Sequence, residues 1–148
     1  MVLWQSLLLI IFLLLQIILS IKSQRECKNG CSFTLTHWLA PLGMFVWGDV
    51  LVLSLFWFFA GLVALLLQDV VLFLLIVSTF WLVRSIGETI YWFLQQFATV
   101  KRDLPHTLLG YSLVKNEAIW FMYQVMWQCI TVITLLTTIY LSHRWLTN

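Results

Sequence analysis

Charge is scarce in this chain. Only 9% of its 148 residues are Asp, Glu, Lys or Arg, while 62% are hydrophobic. That shortage excludes a water-soluble domain of this length, because a small domain keeps much of its surface exposed and needs polar cover for it. An excess of one sign is missing too. A net charge of +2 is too small to imply a nucleic-acid partner, and no basic patch with interleaved aromatics lies outside the apolar segments. Three cysteines, an odd count, do not make a disulfide framework. Nucleotide-binding, hydrolase, protease and cofactor motifs are all lacking. These absences leave no catalytic constellation, and the chain is expected to be non-enzymatic.

Long apolar runs are what the sequence does have. The central stretch, 41–99, is nearly continuous hydrophobic sequence, broken by Gln68-Asp69 and again between Arg84 and Glu88. Runs of roughly 20 apolar residues match the thickness of a bilayer core when helical. The expected fold class is therefore all-α: a polytopic integral membrane protein with four transmembrane helices. They are placed at about 2–21, 42–67, 70–97 and 118–142 and form a single domain, 1–148. The first run is expected to remain as a helix and not to act as a cleaved signal peptide. No Lys or Arg precedes its long apolar core, and no A-x-A-like site follows it. Pro41 suits the first position of the second helix, where its missing N–H is harmless. Asp69 suits the N-cap of the third.

Basic residues set the expected orientation. Lys22, Arg25 and Lys28 lie in the loop 22–40, and Lys101, Arg102 and Lys115 in the loop 100–117. The positive-inside rule then puts both loops in the cytoplasm and both ends of the chain outside.

Three charges lie too deep in apolar sequence to be ignored. Measured from the turn at 68–69, Asp49 and Glu88 fall level at roughly 28 Å and Arg84 at roughly 22 Å, taking 1.5 Å per helical residue. All three belong to the inner leaflet of a core about 30 Å thick. Arg84 and Glu88 are also i,i+4 neighbours. An intramembrane Asp49–Arg84–Glu88 cluster is expected, because a charge in hydrocarbon needs a partner, a wet cavity or an escape to the interface. Three readings fit it: paired packing without function, snorkelling to the headgroups, and an ion or proton site.

Polar residues also form stripes. Ser78, Trp81, Ser85, Glu88, Trp92 and Gln95 recur at alternating three- and four-residue steps, which keeps them on one seam of the third helix. Glu117, Gln124, Gln128, Thr131, Thr138 and Ser142 do much the same on the fourth. Such stripes are first of all helix-packing contacts in lipid. Gln16, Gln95, Gln124 and Gln128 are the residues a polar path would use. Ala60 and Ala64 have the spacing of close helix packing on the second helix.

Cys27 and Cys31 share a polar loop and form a candidate disulfide or thiol-redox pair. Their spacing is not C-x-x-C, and the expected cytoplasmic placement opposes oxidation. His37 is the only further metal ligand near them, and neither His106 nor His143 falls mid-membrane where haem ligation would need it. Neither metal nor cofactor is expected. The partners expected are the lipid bilayer and other membrane subunits, or further copies of this chain. The leading expectation is a small subunit of a larger or oligomeric membrane complex. A small transporter or oligomeric pore using the inner-leaflet charges is the alternative, and a thiol-redox protein the third.

Overall fold

A computed structural model describes residues 2–147. The apolar runs form four long helices: α1 (Leu3–Lys28), α2 (Trp47–Leu66), α3 (Val70–Phe97) and α4 (Ala118–Thr147). Each is long and apolar enough to cross a membrane. Apart from one isolated antiparallel bridge, Leu35 with Val46, all regular structure among the described residues is helical. The contacts divide into two compact units, Met1–Ile76 and Val77–Asn148, with the boundary inside α3.

In the first unit α1 and α2 run antiparallel, since Gly61 lies against Leu13 and Lys22 against Trp47. The approach is close. A Cβ on Gly61 would stand 3.0 Å from the Leu13 Cδ2 atom. Ala60 and Ala64 are buried beside it, so the small residues do mark a tight helix contact. Phe12 of α1 packs edge-on against Trp57, with ring centres 6.4 Å apart, and against Phe73, at 5.5 Å.

Two helix boundaries differ from expectation. The first helix does not end near Ile21 but continues to Lys28. Its extra turns contain Lys, Gln, Arg and Glu, all good helix formers. Arg25 and Lys28 also sit in its last turn, where cations favour the helix dipole. The second helix starts at Trp47, not Leu42, and Pro41 lies inside a separate 3-10 helix, His37–Leu42. Gly43, with φ of +71°, closes that 3-10 helix in the left-handed conformation that glycine tolerates.

Backbone pairing explains the late start of α2. Thr36 N–H donates to the Phe45 carbonyl (2.8 Å), Trp47 N–H to Thr34 (3.3 Å) and Gly48 N–H to Ser32 (2.9 Å). The Thr36 hydroxyl donates to the Met44 carbonyl (3.0 Å), and the Trp57 indole reaches back to the Leu42 carbonyl (2.9 Å). Leu39 and Met44 are buried inside this fold-back. Thus the first polar loop is a small folded element with its own apolar centre.

At the α2–α3 turn, Gln68 takes φ of +53°. The Asp69 carboxylate accepts the N–H groups of Val71 (2.8 Å) and Leu72 (3.1 Å), the N-cap role expected of it.

The second unit joins the rest of α3 to α4. The Ser78 hydroxyl donates to the Thr134 carbonyl (3.2 Å) and lies 2.8 Å from the Thr138 hydroxyl. Trp81 stacks on Trp127, with ring centres 6.4 Å apart. Of the six seam residues, Ser78, Ser85, Trp92 and Gln95 are buried, and Trp81 and Glu88 are half-buried. The connection between the helices includes a 3-10 turn, Pro105–Thr107, and a one-turn helix, Tyr111–Val114. α4 then runs five residues past its expected end, to Thr147.

Candidate functional site

The polar side chains that bear on function among the described residues fall into three groups. The first lies in α1 and α2. Gln16, Ser23 and Ser54 are all fully buried. Ser23 donates to the Ser20 carbonyl one turn back (2.9 Å), which lets a hydroxyl sit in an apolar helix. Gln16 finds no such relief: neither the oxygen nor the nitrogen of its carboxamide has a hydrogen-bond partner among the described residues. Asp49 stands in the first turn of α2, and its carboxylate accepts the Phe45 N–H (3.1 Å). There it satisfies a backbone donor at the helix start and complements the helix dipole.

At the C-terminal end of α1, Lys22 lies over the face of Trp47, 5.0 Å from the ring centre. Lys22, Arg25 and Glu26, with Ile18 and Ile21, line an open groove of about 420 Å³. Cys27 and Cys31 flank the following turn, and both thiols are free.

The second group is the ion pair of α3. The Arg84 guanidinium lies 3.2 Å from the Glu88 carboxylate, the i,i+4 contact their spacing implies. Two charges held this way form a locally neutral unit, which lowers the penalty of placing either in hydrocarbon. Hydroxyls around them bond back along the helix: Ser85 to the Leu82 carbonyl (3.0 Å) and Thr89 to Ser85 (2.8 Å).

The third group closes the loop end of α3 and α4 and is centred on Asp103. The Asp103 carboxylate accepts the Tyr91 hydroxyl. Its backbone carbonyl accepts both the Gln95 carboxamide (3.3 Å) and the Trp120 indole N–H (3.1 Å). Lys101 caps α3 by donating to the carbonyls of Gln95 (2.8 Å) and Gln96 (2.9 Å), and it sits 4.5 Å from the Trp120 ring centre. Cations are favoured there because the last carbonyls of a helix have no internal partner. Gln96 completes the group by donating to the Gln124 oxygen (2.7 Å).

Of the four glutamines on the candidate polar path, three therefore have settled surroundings. Gln95 serves Asp103, Gln124 serves Gln96, and Gln16 is sealed within the first unit. Gln128 is exposed on α4.

The sequence marks Lys101 only as a loop cation and does not single out Asp103, because charges in a loop are ordinarily solvated. A signal did exist. Tyr91 and Gln95 are i,i+4 neighbours on the last turns of α3, so one acceptor just past the helix end meets both. Among the described residues no group of three or more His, Cys, Asp or Glu is placed to hold a metal ion.

No family model matches the chain, and no curated protein or solved structure matches it.

Proposed function

We propose that this chain is a small, non-enzymatic, multi-pass membrane subunit that packs into a larger or oligomeric membrane complex. One observation carries the reading. Only 11% of the most apolar window in α3 and in α4 is buried within the chain, against 22% in α1 and 33% in α2. Four apolar helices with that much free surface need lipid, protein or both around them. The two loops with their basic residues face the cytoplasm in this reading, and both ends of the chain face outward.

Membrane insertion is tested by alkaline carbonate extraction, which should leave the chain in the pellet. Orientation is tested with a membrane-impermeant thiol reagent on intact cells, which should spare Cys27 and Cys31. The subunit role is tested by gentle detergent extraction from the native membrane followed by native mass measurement. A mass above that of the single chain supports it; a lone monomer with nothing co-purifying overturns it.

A second reading, a small transporter or oligomeric pore, draws on the Arg84–Glu88 pair and the sealed Gln16 carboxamide. Intramembrane ionisable residues mark transport paths often enough to warrant the test. Asp49 would join Arg84 and Glu88 in it. Purified chain in liposomes should then pass an ion, proton or small solute, and Glu88→Gln should abolish the flux. Silence across those solutes removes this reading.

A further inference from the structure

The carboxamide of Gln128 is exposed on the apolar helix α4. It lies about 15 Å along the axis from the start of α4, half the thickness of a hydrocarbon core. Nearby polar residues on α4 are satisfied. Thr131, Thr134 and Thr137 bond back to the carbonyls of Trp127 (2.9 Å), Ile130 (2.8 Å) and Ile133 (2.8 Å), and Gln124 accepts from Gln96. Gln128 is exposed and has no hydrogen-bond partner among the described residues. In lipid an unpaired carboxamide is unfavourable, and another helix is the usual remedy.

Gln128 sits in the middle of an exposed apolar line along α4. Phe121, Val125, Gln128, Val132, Leu135 and Ile139 follow one another at alternating four- and three-residue steps, and all six are exposed. That is the seam of a two-helix coiled contact, with one polar residue near its middle. A second copy of this chain inserts with the same orientation, so its α4 runs parallel and its Gln128 lies at the same depth. A carboxamide donates through nitrogen and accepts through oxygen. Two of them across a two-fold axis satisfy each other, as a self-complementary interface requires.

We propose that the chain self-associates in the membrane through α4, with Gln128 paired to Gln128 of a second copy. This rests on the subunit reading above and names its partner.

The test uses the full chain, with Cys27, Cys31 and Cys129 changed to Ser, in phosphatidylcholine vesicles. Single cysteines are placed on the seam (V125C, V132C) and on exposed positions away from it (M126C, I133C). Oxidation should link the seam pair into dimers and leave the other two monomeric. Independently, Q128L should raise the dimer dissociation constant about tenfold, the size of two reciprocal interhelical hydrogen bonds in lipid. Equal cross-linking at all four positions, or a Q128L chain that associates like its parent, overturns the proposal. So does a monomer in vesicles that still co-purifies with a different membrane protein from the native membrane, although the subunit reading then stands. A monomer in both settings overturns both.

Discussion

The two compact units are built from similar apolar helices but hold together differently. In Met1–Ile76 the contact between α1 and α2 is one of shape: Gly61 admits Leu13, and Phe12 meets Trp57 and Phe73 edge-on. Lys22 of α1 lies over Trp47 of α2, and the buried Gln16 carboxamide is unpaired among the described residues. In Val77–Asn148 side-chain hydrogen bonds join the elements: Ser78 to α4, Gln96 to Gln124, and Asp103 to Tyr91, Gln95 and Trp120. In the membrane setting proposed above, helices lack a hydrophobic drive toward one another, so close packing and polar bonds are the means left to them. The α1–α2 contact relies mainly on the first, and the α3–α4 contact adds the second to the stacking of Trp81 on Trp127.

Five substitutions test that contrast, from the largest expected effect to the smallest. Gly61→Leu forces a branched side chain into the space of Leu13 and should destabilise the chain by about 2–3 kcal/mol, as overpacking does. Reversible unfolding in mixed micelles measures it; a change under half that would show that α1 and α2 are loosely packed. Gln16→Leu has the opposite sign. Removing a buried, unpaired carboxamide should stabilise the chain by roughly 1–2 kcal/mol in the same assay. A loss of stability would mean that the carboxamide has a partner in the membrane, and the shape-only account of the first unit would fall.

In the second unit Asp103→Ala leaves the Tyr91 hydroxyl without its acceptor and should destabilise by about 1.5 kcal/mol, the usual size for a hydrogen bond to a charged group. Tyr91→Phe should lose a similar amount, and the double variant little more than either alone. Additive losses would show that the two residues act separately. Gln96→Leu, which removes one interhelical bond, should lose only about 0.6 kcal/mol. If it exceeds Gly61→Leu, polar bonding outweighs packing in this molecule and the contrast between the units is reversed.

Several of these features are legible in the sequence. The seam of Ser78, Ser85, Trp92 and Gln95 follows from helical spacing, and so does the Arg84–Glu88 contact. Asp69 reads as an N-cap because it stands between a polar turn and an apolar run. Pro41 misled, since a proline suits the first turn of a 3-10 helix as well as that of an α-helix. The extension of α1 to Lys28 was missed because a polar segment after an apolar run reads as a loop, although nothing in Lys22–Lys28 opposes helix.

Composition and periodicity alone determined that this chain is helical, how many long apolar helices it has and which faces carry its polar groups. Those properties depend on residues close in sequence, whose relation is set by the rise and twist of one helix. Tertiary structure decided the rest. It made Asp103 an anchor, gave the loop before Trp47 an apolar centre and left Gln16 sealed but Gln128 open. Each of these outcomes depends on whether a second segment arrives from elsewhere in the chain, and no local pattern records that.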